Sequence, residues 1–181
     1  MSEPGWDGIL DADERILWQG RPDGAVSLRP GNLALLAFGL VFAGFALIWM
    51  ILASRGGGGF WMFGLIHFSV GIGIIWAALF WAAYRRRRSW YTLTDRRAFI
   101  ASNLPLAGKK LKSWPITADT VLELDDSSPG SVNFAMERRR GKNGHYMATI
   151  GFERIPEAKQ VYRLMRDIQT GARTAASRER T

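Results

Sequence analysis

The feature that most constrains this chain is a pair of long stretches without a single charge. Residues 33–53 and 60–84 contain no Asp, Glu, Lys or Arg. Wound as α-helices they extend about 31 Å and about 37 Å at 1.5 Å per residue, and the hydrocarbon core of a bilayer is about 30 Å thick. Both can cross it, the second with some tilt. A globular alternative fails on size, because a chain of 181 residues has too little other material to bury two helices that are apolar on every side. Ser54-Arg55-Gly56-Gly57-Gly58-Gly59 separates the runs and suits a tight turn between antiparallel helices. The expectation is a transmembrane hairpin over residues 32–84, with helices at 33–53 and 60–84. Neither run reads as a signal peptide: the first follows an acidic segment, and no small-residue cleavage pattern accompanies it.

Charge is distributed unevenly around that hairpin. Residues 1–31 hold three Arg and six acidic residues, the connector holds one Arg, and residues 85–181 hold twenty Lys or Arg against ten acidic residues, for a net charge of +8. The positive field therefore belongs to the C-terminal part and its junction with the second run. A basic domain held at a membrane meets anionic lipid first, and a nucleic-acid partner is not expected. Arg85, Arg86, Arg87 and Arg88 abut the second run, Arg21 and Arg29 precede the first, and Arg55 alone lies at the opposite end. The positive-inside rule then puts both termini in the cytoplasm, on an inner membrane crossed twice. Trp49, Trp61, Trp81 and Tyr84 fall near the ends of the runs, where amphipathic rings favour the interface.

Within the runs, small residues recur at four-residue spacing: Gly39 with Ala43, Ser69 with Gly73, and Gly73 with Ala77. Such pairs let helix backbones approach closely, inside the hairpin or against another membrane protein. His67 is the one ionisable residue inside the runs. A lone His makes no bis-imidazole haem site and no carboxylate accompanies it for proton relay, so a neutral ring bonded to a backbone or hydroxyl group is expected.

After the arginine run the periodicity changes to two. Trp90–Thr94 and Ala98–Ala101 read as strands around an Asp95-Arg96-Arg97 turn, and residues 111–116 and 120–124 read as weaker strands. Residues 131–137 and 146–152 alternate clearly, joined by the Gly-punctuated loop Arg138-Arg139-Arg140-Gly141-Lys142-Asn143-Gly144. Helical spacing then takes over. Pro156 suits the first helical position, Ala158, Val161, Tyr162, Leu164, Met165 and Ile168 form an apolar stripe, and Gly171 is a plausible stop. The expected organisation is an N-terminal segment over 1–31, the hairpin, a cytoplasmic domain over 85–171 and a flexible tail over 172–181. The fold class is α+β: a helical hairpin plus about six or seven antiparallel strands capped by a C-terminal helix.

The phrase Trp90-Tyr91-Thr92-Leu93-Thr94-Asp95-Arg96-Arg97-Ala98-Phe99-Ile100 resembles the bacterial pleckstrin-homology-like family, which is often fused to membrane hairpins. Glu14-Arg15-Ile16-Leu17-Trp18-Gln19-Gly20-Arg21-Pro22 resembles the segment that precedes the hairpin in those proteins. With Gly151-Phe152, Ala158, Val161 and Tyr162, the likeness extends over most of residues 14–170. It implies a pleckstrin-homology-like domain that works as a binding or assembly module without catalytic residues.

Catalytic chemistry is hard to assemble from what remains. Cysteine is absent, His67 and His145 are the only histidines, and no His-Glu-x-x-His, Gly-x-Ser-x-Gly or P-loop pattern occurs. Asp125-Asp126-Ser127-Ser128 reads as a turn rather than a metal site. No enzyme, cofactor, metal or small-molecule substrate is expected. The candidate binding groups are basic: Arg85, Arg86, Arg87, Arg88, Arg96, Arg97, Lys109, Lys110, Lys112, Arg138, Arg139, Arg140 and Lys142. They suit anionic phospholipid headgroups or an acidic partner, at about 1 kcal/mol per basic side chain near an anionic surface. The expected function is a membrane-anchored binding module whose partner is another membrane protein or a second copy. The alternative is an accessory subunit of a respiratory or transport complex, contacting its partner through the helices.

Overall fold

The unbroken apolar runs become two antiparallel helices, α1 (Pro30–Ser54) and α2 (Phe63–Arg87), the second entered through a short 3-10 turn at Phe60–Met62. The computed structural model describes residues 5–27, 30–105, 107–141 and 144–178, with side chains through residue 174. Pro30 occupies the first helical position, where its missing N–H costs nothing. Both helices are long and apolar enough to cross a membrane. Only 17% of the most apolar window of each is buried, and side chains such as Val41 (73% exposed) and Phe45 (69%) face outward.

A narrow strip of small residues holds α1 against α2. Gly39, Ala43 and Ala46 of α1 are buried, as are Gly64, Gly71, Ala78 and Ala83 of α2. Ala43 crosses α2 at Gly71, where a Cβ would come within 2.7 Å of the Ala43 Cβ. Gly39 meets Ile74 and Ile75, and Gly64 meets Trp49 and Met50. On α2 the buried strip therefore runs Gly64, Gly71, Ala78, a seven-residue spacing that keeps one seam facing α1. The expected contact residues on α1 lie at this seam. On α2, Ser69 and Gly73 are exposed and Ala77 is half-buried, with nothing within 4 Å of a Cβ built on Gly73. Asn32 donates to the Ala78 carbonyl at 3.0 Å, and Arg86 donates to the Ala25 carbonyl at 2.7 Å.

The second unit comprises Met1–Asp23 and Arg87–Thr181. Its first sheet runs in the order β1 (Ile16–Gly20), β2 (Ser89–Thr94), β3 (Arg97–Leu104), β4 (Gly108–Pro115). Its second contains β5 (Glu123–Asp125), β6 (Gly130–Gly141) and β7 (Gly144–Ile155), and helix α3 (Ala158–Arg178) follows. All pairings are antiparallel. Inward-facing residues of both sheets meet the stripe of α3. Leu93, Val132, Phe152, Ile155, Val161 and Met165 are fully buried, and Tyr91 stacks on Phe152 at 4.8 Å while Phe134 meets it edge-on at 5.1 Å.

Three features differ from the sequence expectation. Arg138-Arg139-Arg140-Gly141, read as loop, continue β6 and pair with β7, Arg138 opposite Met147 and Arg140 opposite His145. The segment 1–31 is not set apart from the domain: β1 pairs with β2, with Gln19 opposite Thr92 and Gly20 opposite Tyr91. The helix does not stop at Gly171 but continues to Arg178. A glycine costs a helix interior about 1 kcal/mol, and bonds on either side offset it here. Gln169 donates to the Thr120 carbonyl at 2.6 Å and Arg173 to the Ala118 carbonyl at 3.1 Å.

Leucine at Gly71 overpacks the seam, and leucine at Gly73 projects outward. Gly71→Leu is expected to cost about 1–3 kcal/mol and to lower the unfolding temperature of the detergent-solubilised chain, with Gly73→Leu unchanged. Equal effects of the two would contradict this helix register.

Candidate functional site

The basic residues of the domain divide by what they already hold. Thr94 closes the β2–β3 turn by accepting the Arg97 N–H at 2.9 Å, and its hydroxyl donates to Glu14 Oε1 at 2.6 Å. Glu14 has no exposed side chain and also accepts from Arg97 Nε at 3.1 Å, from Arg97 Nη2, and from the Asp11 N–H at 3.1 Å. Burial pushes the Glu14 carboxyl up, but the bonds from Arg97, Thr94 and Asp11, with the Arg97 charge, outweigh it and hold the carboxyl at about 2. The same bond raises the Arg97 guanidinium further above its ordinary value. Arg97 also lies over the Phe99 ring, its Cζ 5.2 Å from the centroid. Arg96 reaches Asp11 at 3.6 Å. These two arginines, expected as headgroup ligands, are brought instead to the N-terminal segment.

Glu137 gathers a second pair. Lys112 Nζ reaches it at 2.7 Å and Arg139 Nη2 at 3.1 Å, and those two cations, Lys112 first, lower the Glu137 carboxyl. Of the arginines after the hairpin, Arg86 is buried at its Ala25 bond, Arg85 and Arg87 are exposed, and Arg88 is half-buried. Arg138 and Arg140 are exposed near the tip of the β6–β7 hairpin, beside the outward-facing Met136, Tyr146 and Met147. Lys142 and Arg29 lie outside the described residues. His67 sits 3.4 Å through Nδ1 from the Phe63 carbonyl and 5.3 Å ring to ring from Phe63. Among the described residues no group of three or more His, Asp or Glu is placed to hold a metal ion.

Lys109 and Lys110 form no ion pair among the described residues, and they line a broad groove of about 910 Å³ on the outer face of the β1–β4 sheet. Register builds this groove. Trp90 stands opposite Ala101 and Ala101 opposite Leu111, giving an apolar floor; one row along, Asn103 donates its N–H to the Arg88 carbonyl at 2.9 Å and stands opposite Lys109. The wall comes from the N-terminal segment, where Trp6 packs edge-on against Phe99 at 5.3 Å and Ile9 lies beside it. Arg21 closes one end, its guanidinium 5.0 Å from the centroid of the Trp90 ring. Among the described residues the groove is lined by no carboxylate; Arg21 and Lys109 lie on its face of the sheet, while Lys110, opposite Ser102, contributes at the edge strand. Sequence reasoning placed Lys109 and Lys110 among the candidates but missed Arg21, which enters only because β1 joins this sheet. Compared with family models, curated proteins and solved structures, the chain matches none.

The Glu14 cluster sets a pH dependence of stability. A carboxyl held at about 2 when folded, against an ordinary 4.5, stabilises fully above pH 4.5, and that contribution is lost as pH falls from there through 2. Glu14→Gln is expected to destabilise the chain by about 2 kcal/mol at neutral pH, with the gap between wild type and variant in thermal melts closing as pH drops below 4.5. A gap that stays constant with pH would contradict the assignment.

Proposed function

We propose that this chain is a non-enzymatic, membrane-anchored binding module: α1 and α2 span the membrane as a hairpin, and a pleckstrin-homology-like cytoplasmic domain engages anionic lipid headgroups and a protein partner. The observation that carries the membrane half is the outward-facing apolar surface of both helices. A soluble core helix is mostly buried, whereas these bury 17% of their most apolar windows, and exposed apolar area on that scale needs lipid around it. The two flanking segments enter one sheet as β1 and β2, which supports exit of both helix ends on the same side. The arginines after α2 favour the cytoplasmic side. Four antiparallel strands, three more, and a closing helix, in that order, support the pleckstrin-homology-like reading.

A binding role agrees with the charge. Arg138, Arg140, Lys109 and Lys110 point into solvent with no carboxylate partner among the described residues, and basic side chains near an anionic leaflet each contribute about 1 kcal/mol. The accessory-subunit reading rests on one observation, the open small-residue face of α2 at Ser69 and Gly73.

A domain made by joining residues 1–23 to 87–181 through a short Gly-Ser linker keeps β1, which a fragment beginning at residue 89 would lack. It is expected to float with vesicles containing phosphatidylglycerol and not with pure phosphatidylcholine. Equal flotation with both would remove the lipid part of the proposal.

A further inference from the structure

We infer that the groove between Arg21, Trp90 and Lys109 is a defined headgroup site that takes the phosphodiester of one anionic phospholipid. This inference rests on the membrane reading above and narrows it from a diffuse basic surface to one cleft. The first argument is charge. Arg21 and Lys109 face the groove, Lys110 lines its edge, and among the described residues no carboxylate lines it, whereas Arg96, Arg97, Lys112 and Arg139 are each matched to Asp11, Glu14 or Glu137. A cationic cleft without internal compensation draws an anion.

The second argument is position along the strands. Arg88 is the residue after the last residue of α2, so the chain itself keeps it within about 4 Å of the helix end. Asn103 and Lys109 continue the row from Arg88 across β3 and β4, and two strand spacings amount to about 10 Å. The cationic end of the groove is therefore tied by chain connectivity to within about 10–15 Å of the residue that leaves α2, a distance a phospholipid headgroup can bridge. The third argument is the chemistry beyond the phosphate. From that row the floor leads over Trp90, Ala101 and Leu111 towards Thr92 and Gln19. A headgroup reaching along it meets an aromatic face, a hydroxyl and an amide. A glycerol-like headgroup suits that lining. Choline or ethanolamine would bring its own cation beneath Arg21, which already occupies the face of Trp90 at 5.0 Å, and like charges repel.

The test uses the full-length chain in nanodiscs of equal parts phosphatidylcholine and phosphatidylglycerol, with native mass spectrometry counting the lipids retained on release. Two variants remove the same charge in different places: Arg21→Gln with Lys109→Gln and Lys110→Gln in the groove, and Arg138→Gln with Arg139→Gln and Arg140→Gln at the hairpin tip. The inference expects one phosphatidylglycerol retained selectively by wild type and by the tip variant, and retention reduced about tenfold or more in the groove variant. Lys109→Gln with Lys110→Gln alone, on an exposed edge strand, is expected to reproduce part of that loss while leaving thermal unfolding unchanged. Equal loss in the groove and tip variants would overturn the site while leaving a diffuse lipid contact standing. Displacement of the lipid by millimolar inorganic phosphate would overturn the lipid as its occupant. No preference for phosphatidylglycerol in wild type would overturn the lipid-binding reading itself, and the site with it.

Discussion

The antiparallel pairing of β1 with β2 is the constraint on which the rest of the architecture depends. Its partners, such as Gln19 and Thr92, are separated in the chain by the whole helical hairpin. Closing so long a loop costs conformational entropy, although the cost grows only slowly with length. Several contacts offset it. Arg15 and Asp95 exchange bonds, the Arg15 N–H donating to Asp95 Oδ1 at 3.1 Å and the Asp95 N–H to the Arg15 carbonyl at 3.0 Å. Glu14 joins Thr94 and Arg97, and Asp23 bonds Arg154 at 2.7 Å through its side chain and again through its N–H. The hairpin is thus an insertion between the first and second strands of a sheet, and the sheet is incomplete until the chain has returned from α2.

That arrangement explains how the basic residues are used. Those near the N-terminal segment, Arg96 and Arg97, serve the closure of the sheet, and Glu14 is held ionised to receive them. Lys112 and Arg139 converge on Glu137 from strands of the two different sheets. The groove cations remain. Arg21 reaches the groove because β1 brings it there, so the same pairing that completes the fold also completes the candidate site.

Much of this was legible in sequence, and the reasons for the rest are physical. Absence of charge marks α1 and α2 directly, and period-two alternation marks β6, β7 and β2. β1 was hidden because Ile16-Leu17-Trp18-Gln19-Gly20 is short, barely alternating and far in sequence from its partner; its strand character comes from pairing, not from local preference. The α1 side of the helix seam follows from Gly39 and Ala43, but the α2 side follows a seven-residue period through Gly64, Gly71 and Ala78 that a search at four-residue spacing passes over. Gly171 looked like a stop because local propensity says so, and the side-chain bonds of Gln169 and Arg173 to the β4–β5 connection override it. Which cations are compensated cannot be read from spacing, since Glu14 with Arg97 and Lys112 with Glu137 are contacts made by tertiary structure.

The chain has no cysteine, so the decisive pairing can be tested in the intact protein. Cysteines introduced at Gln19 and Thr92, which face each other across β1 and β2, should form an intramolecular disulfide on mild oxidation in native membranes, seen as a shift in non-reducing electrophoretic mobility. A control pair at Gln19 and Ser113, two strands further across the sheet, should not. Failure of the first pair to close within one chain, or its closure only between chains, would contradict the account of a hairpin inserted into a single sheet.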